Sequence, residues 1–191
     1  MDVFEAIYTT RAMRRLNPDR AVSSGDLRKI VEAATKAATG ANSQPVRWIV
    51  VTDPGLKRRL GEIYGRCASA LLGEKGDSAW SRSSWHLVEH FGEAPALVVA
   101  CTDGPNRRPA SVFPGVQNLM LAARALGLGT VLTTSHLQEE AAVREVLGIP
   151  ETVMTYCIIP VGYPTGRWAE AQRKPVEDVT FRDRWGERFS I

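Results

Sequence analysis

The chain is predicted to fold as an α+β sandwich, one domain over 1–191 in which helices flank a central sheet. Three observations carry that expectation. Apolar residues recur alternately at helical spacing and in short β-branched runs. No segment repeats another. With 44% apolar residues, the 191-residue chain can build one core that hides roughly 70% of its unfolded surface.

Ser23 and Asp26 resemble a capping box, and Leu27, Ile30, Val31, Ala34 and Ala38 then follow a helical period, so a helix runs to about Thr39-Gly40. Trp48 to Thr52 is a β-branched run stopped by Asp53-Pro54-Gly55, a strand and its turn. Leu56, Leu60, Ile63 and Leu71 mark a second amphipathic helix. Residues 73–92 mix Gly, Ser and charge with Trp80 and Trp85 and have no firm period, so they are read as a lid or excursion. Ala96 to Cys101 is a fully apolar strand, and Val112, Val116, Leu119, Met120, Ala123 and Leu126 mark a long helix buried on much of its circumference. Gly127 and Gly129 break that helix and open a strand from Thr130 to Thr134. Ala142, Val143, Val146 and Leu147 give a short helix, and Val153 to Val161 gives the last strand. The tail, 165–191, keeps Trp168, Phe181, Trp185 and Phe189 among many charges. It is too aromatic for disorder and too poor in apolar residues to fold alone, so it is expected to pack on another subunit.

Charge and composition narrow the function. A net charge of +3, from 24 Lys+Arg against 21 Asp+Glu, lacks the excess of a dedicated nucleic-acid binder. The acids in Met1-Asp2-Val3-Phe4-Glu5 do not suit a signal peptide, and no apolar run approaches the length of a membrane span, so a cytoplasmic protein without membrane contact is expected. Cys67, Cys101 and Cys157 are widely separated, odd in number and free of any C-x-x-C pairing, and Cys101 and Cys157 sit in apolar strand-like runs, which reads as small buried hydrophobes.

Four segments carry candidate chemistry. Arg11, Arg14 and Arg15 precede Leu16-Asn17-Pro18; arginine suits bidentate phosphate contacts, although the same cluster serves as a solvated helix end. Asn42-Ser43-Gln44-Pro45, after Gly40, offers donors and acceptors for the edge of a heterocycle, or is a plain turn. Thr133, Thr134 and Ser135 bring hydroxyls and amides to a sheet terminus, a usual ligand position in proteins of mixed α and β structure. Gly127-Leu128-Gly129 is no dinucleotide fingerprint, because a third glycine is missing and the turn precedes a strand. His86-Leu87-Val88-Glu89-His90 matches a zinc-peptidase pattern but needs a third ligand, and a lid helix with two exposed histidines accounts for it without metal.

Taken together, these segments resemble the FMN-dependent nitroreductase superfamily over nearly the whole chain. The pattern is closest to the branch of iodotyrosine deiodinase and the BluB-like flavin-destroying enzymes. The family's R-R-S-x-R stretch resembles Thr10 to Arg14, with Arg11 and Arg14 kept and Thr10 and Ala12 departing. Its P-S-x-x-N-x-Q-P-W loop resembles Ala38 to Val46, where Asn42, Gln44 and Pro45 survive. G-L-G-T-V-x-T-T-T-P is similar to Gly127 to His136, and Gly162-Tyr163-Pro164 with Arg173-Lys174-Pro175 matches the close of the pattern.

The resemblance implies a mixed or antiparallel sheet and an obligate homodimer with FMN at the interface, lined by both chains. Cofactor contacts would come from Arg11, Ala12, Met13 and Arg14, the stretch that grips the FMN phosphate in the family; from Thr39, Gly40, Asn42 and Gln44; from Leu132; from Thr133, Thr134 and Ser135 beside the flavin N5; and from Arg173, joined by Lys174, on the phosphate. The implied activity is ping-pong hydride transfer from NAD(P)H to a nitroaromatic or quinone-like acceptor, with no catalytic side chain required. Deiodinase-like chemistry, flavin consumption or plain flavin binding are the alternatives. Tyr64, Trp80 and Trp85 are candidates to stack on a substrate, though packing is their commoner role.

Overall fold

The computed structural model describes residues 1–104 and 108–188; Phe189 of the aromatic tail lies outside them. Among these residues four strands form one antiparallel sheet in the order β1-β2-β4-β3: β1 Val46–Val51, β2 Ala96–Thr102, β3 Gly129–Thr130 and β4 Met154–Gly162. Among the described residues six α-helices flank it: α1 Val3–Thr9, α2 Ser24–Thr35, α3 Pro54–Leu72, α4 Ala79–His90, α5 Pro109–Ala125 and α6 Glu140–Leu147. β2 is buried at every position, because its two side-chain faces meet two different cores. Leu97, Val99 and Cys101 pack with Leu60 and Ile63 of α3, Phe91 and Val143 of α6. Ala96, Val98 and Ala100 pack with Leu27 and Ile30 of α2 and Val112, Val116 and Leu119 of α5. The sandwich expected from the apolar pattern is therefore the fold.

Local chemistry explains the boundaries. Ser23 Oγ accepts from the Asp26 amide at 3.0 Å and donates to its carboxylate at 2.8 Å, so the capping box starts α2. That helix stops at Thr35 instead of Thr39; Ala38 is exposed and so lies off the buried stripe of Leu27, Ile30 and Ala34. β3 is shorter than the expected Thr130 to Thr134. Its register with β4 resumes at Thr133 opposite Ile158, but Pro160 intervenes on β4 and has no N–H for the ladder.

Residues 79–90, expected within an irregular excursion, form helix α4. Ser78 caps it by accepting from the Ser81 amide at 3.0 Å. Its buried face is Ser81, Ser84 and Leu87, so the helical period is intact while its apolar signal is hidden in serines. A further helix, α1, opens with Asp2 accepting from the Glu5 amide at 2.9 Å.

After α1 the chain runs extended along the sheet edge. Ala12 bridges Thr130 in parallel, the Met13 amide donates to the Thr130 carbonyl at 2.9 Å, and the Asn17 amide donates to the Tyr163 carbonyl at 2.8 Å. Glycine at 129 makes this approach possible: a Cβ there would stand 2.8 Å from the Met13 Cβ. In the tail, Arg124 lies over Trp168 at 4.2 Å and the Ala171 amide donates to the Tyr8 carbonyl at 3.4 Å, whereas Trp185 is 91% exposed. Among the described residues no helix is long and apolar enough to cross a membrane. The three cysteines are buried and unpaired, and burial pushes the Cys101 and Cys157 thiols up to about 12, which makes them poor nucleophiles.

Candidate functional site

The sheet edge formed by β3 and the extended N-terminal segment borders a cleft of about 250 Å³ that gathers Arg14 with Leu132, Thr133, Thr134 and Ser135. Its opposite wall is helical. Tyr64, Ala68, Leu71 and Leu72 come from successive turns of α3, and Trp80, Ser84 and Leu87 from successive turns of α4. Apart from Tyr64 and Trp80, this wall carries no motif. Its sequence signal is the three-and-four spacing, legible only once 79–90 is known to be helical. Trp85 does not line the cleft; its indole nitrogen is buried.

The threonines differ in availability. Thr133 is buried, its amide bonds the Ile158 carbonyl at 3.2 Å, and its hydroxyl donates to the same carbonyl at 2.6 Å. Thr134 is exposed, and its hydroxyl has no protein partner among the described residues. Arg14 likewise makes no salt bridge among the described residues. Burial raises the Tyr64 hydroxyl above its ordinary pKa, with the nearby Arg14 charge opposing, so Tyr64 stays neutral.

Immediately after Ser135, His136 is fully buried with Nε2 3.1 Å from the Thr155 hydroxyl. Glu140 accepts from both the Thr155 amide at 2.7 Å and its hydroxyl at 2.9 Å, and meets Arg144 at 3.1 Å. This network ties the end of the Leu132–Ser135 segment to β4. Burial works to raise the Glu140 carboxyl, but the bonds from Thr155 and Arg144 outweigh it and hold it below the ordinary 4.5. A carboxyl held low in the fold stabilises above its unfolded pKa, and that contribution is lost as pH falls. Urea unfolding midpoints should therefore drop on acidification below 4.5, and Glu140→Gln should flatten that dependence.

The other candidates lie elsewhere. Thr39 and Gln44 line a separate cleft of about 150 Å³ with Trp48, Ser111 and Gly115. The Gly40 amide donates to the Ser111 hydroxyl at 3.3 Å, and the Gln44 amide to the Thr39 hydroxyl at 3.0 Å. Ala41, Asn42 and Gln44 all hold positive φ, of 50°, 52° and 46°. Left-handed backbone at three non-glycine residues is strain that only a fixed loop shape maintains. This loop feeds β1, the edge strand opposite β3, so it stands about 14 Å or more across the sheet from Thr133. Arg173 shares a third cleft with Ile7, Tyr8 and Thr10, next to exposed Arg11. Lys174 is exposed and lines none of these clefts. His86 and His90 lie 4.3 Å apart between ring centroids with their planes tilted by 36°, but Glu89 binds Lys75 at 2.7 Å, and no metal-holding cluster of three such side chains exists among the described residues.

The family pattern of nitroreductases matches residues 7–163, and the chain belongs to the nitroreductase family. It is 29% identical over 194 residues to an Archaeoglobus fulgidus protein provisionally named NADH dehydrogenase/NAD(P)H nitroreductase, covering 96% of this chain and 99% of the relative. A provisionally named nitroreductase of Desulfovibrio desulfuricans, solved in complex with FMN, is 26% identical with a TM-score of 0.74, covering 97% and 98% of the two chains. Iodotyrosine deiodinase, solved with FMN and 3-iodo-L-tyrosine, shares the fold with a TM-score of 0.79 at 23% identity, covering 96% and 99%.

Proposed function

We propose that the protein is an FMN-dependent oxidoreductase that accepts hydride from NADH or NADPH and, in a second half-reaction, passes electrons to a small electron-poor acceptor such as a nitroaromatic or quinone. The observation that carries this reading is the cleft uniting Arg14 with Leu132, Thr133, Thr134 and Ser135 against an apolar helical wall. That donor set fits a flavin: an unpaired cation for the pyrimidine edge, an uncommitted hydroxyl, and flat apolar sides. FMN, when bound, supplies two-electron chemistry at its N5 that no side chain in the cleft offers.

The chain's own groups have separable tasks. Thr134 is the hydroxyl able to donate to N5, since the Thr133 proton is committed to Ile158. Arg14 offsets negative charge on the reduced ring, and Leu71, Leu72 and Trp80 keep water from it. Ala12 and Met13 hold the segment on the sheet edge. Arg11, Arg173 and Lys174 supply charge for the phosphate. The relatives named for NAD(P)H and solved with FMN support the donor and the cofactor.

In this reading, two copies complete each site. One cleft of about 250 Å³ falls below the roughly 300 to 1,000 Å³ of most ligand pockets. The loop with Thr39, Gly40, Asn42 and Gln44 stands across the sheet, so a second copy is needed to bring it to the flavin. Val3, Phe4, Ile7 and Tyr8 leave an apolar face of α1 exposed on the single chain, at 60%, 62%, 46% and 55%. A homodimer that also receives the aromatic tail would cover such a face.

The deciding experiment is an absorbance spectrum of the purified protein followed by anaerobic titration with NADH and NADPH, then reoxidation by a nitroaromatic. Bleaching of a flavin band and its return with acceptor are expected; a bound flavin that neither nicotinamide reduces would leave a flavin-binding protein or another donor. Arg173→Ala should weaken FMN binding by about 1.5 to 3 kcal/mol, read by flavin fluorescence quenching. An unchanged dissociation constant removes Arg173 from the site. A monomer carrying full flavin in sedimentation would overturn the shared site.

A further inference from the structure

We propose that a second cleft, of about 280 Å³ between α4 and the extended N-terminal segment, is a subsite for an oxyanion, a phosphate or carboxylate carried by the molecule that exchanges electrons in the adjoining cleft. It is lined by Arg14, Arg15, His86, His90, Glu93 and Thr165. The inference rests on the oxidoreductase reading for the identity of the molecule, but the anion chemistry stands on these residues alone. Arg14 and Leu87 belong to both clefts, so a ring in one and an anionic substituent in the other are held by a common wall.

The charges favour an anion. Neither Arg14 nor Arg15 makes a salt bridge among the described residues, while the surrounding acids are engaged: Glu93 Oε2 lies 2.8 Å from His90 Nδ1, and Glu89 Oε1 lies 2.7 Å from Lys75 Nζ. Two arginines against Glu93 leave +1 with neutral imidazoles and +3 with both protonated. Lys57 is committed to the backbone, donating to the carbonyls of Ala94 and Pro95 at 2.8 and 3.2 Å.

Burial holds the His86 imidazole below its ordinary pKa, and the charges of Arg15 and His90 add to that. An oxyanion seated among these groups stabilises the protonated ring, so binding should raise the His86 pKa and should itself tighten as pH falls. The groups setting this response are Arg14 and Arg15 from the N-terminal segment, His86, Glu89 and His90 from α4, Glu93 beyond it, and Lys57 and Lys75 behind them.

The test uses imidazole NMR on the purified flavin-loaded protein. The chain has three histidines, and His136, fully buried in its network, serves as internal reference. Titration with inorganic phosphate, and separately with benzoate, should shift the His86 and His90 signals saturably and leave His136 in position. Arg15→Gln should weaken the apparent affinity at least about fivefold, as expected of a lost charge-assisted contact, and His86→Gln should do so independently. Shifts that do not saturate, or that Arg15→Gln leaves unchanged, overturn the proposal. Kinetics then name the source of the anion. A KM rise in Arg15→Gln for 4-nitrobenzoate but not for 4-nitrobenzyl alcohol assigns the subsite to the acceptor's carboxylate; a KM rise for NADH with both acceptors assigns it to the dinucleotide phosphates. Saturable phosphate binding in a protein that no nicotinamide reduces would sink the NAD(P)H-dependent reading and leave the subsite standing.

Discussion

Phe91→Ala is expected to lower folding stability by about 3 to 5 kcal/mol, measured as the change in urea unfolding free energy. Phe91 is 1% exposed and stacks on Tyr64 with ring centroids 3.9 Å apart and planes at 16°. It sits in the turn that follows α4, where Gly92 lets the backbone reach α3: a Cβ at 92 would stand 2.7 Å from the Lys57 carbonyl oxygen. So tight a contact leaves little room to collapse around the missing ring, and most of the cavity penalty should be expressed. The effect also reaches function, because Tyr64 lines the candidate flavin cleft and loses the ring that fixes its plane. Phe91→Leu should recover more than half of the lost stability. A loss below about 1.5 kcal/mol for the alanine variant would mean that α3 and α4 repack freely, and that the cleft wall is not a rigid surface.

The same wall marks where the sequence was legible and where it was not. Strands β2 and β4 and helices α2, α3 and α5 announce themselves, because burial on a defined face leaves a periodic apolar record in Leu27, Ile30 and Ala34 or in Ala96 to Cys101. Helix α4 leaves no such record, since Ser81 and Ser84 occupy positions where a hydrophobe is expected. The run from Thr130 to Thr134 predicts a longer strand than β3, because the run itself cannot reveal that its partner presents Pro160. The resemblance gathers Arg14, Leu132 to Ser135, Arg173 and Thr39 to Gln44 around one cofactor; in the single chain Arg14 and Leu132 to Ser135 line one cleft, while Arg173 and Thr39 to Gln44 occupy other parts. Tertiary proximity between Gln44 and Thr133 is not encoded in either segment, and one copy of the sheet keeps them at opposite edges. The commitment of the Thr133 hydroxyl to Ile158 is likewise visible only in the fold.

Gly129→Ala is expected to weaken FMN binding at least about tenfold, roughly 1.4 kcal/mol, while the protein stays folded. The added methyl would stand 2.8 Å from the Met13 Cβ and 3.1 Å from Leu16 Cδ2. Leu16 can swing its methyl away, but the Met13 Cβ is fixed to the backbone, so the segment itself must move. That segment is held by the Met13 amide on Thr130 and by the Asn17 amide on Tyr163, and Arg11 and Arg14 ride on it. Overpacking of this kind costs about 1 to 3 kcal/mol, which the rest of the fold can absorb because the two buried cores lie behind the sheet edge. Affinity is more sensitive, since a guanidinium displaced by a fraction of an ångström loses its bidentate geometry. Met13→Gly removes the Cβ that collides, so in a double-mutant cycle Met13→Gly should restore affinity to Gly129→Ala even though alone it weakens docking. Additive losses in that cycle would show that Gly129 acts through β3 itself and not through the arginine-bearing segment.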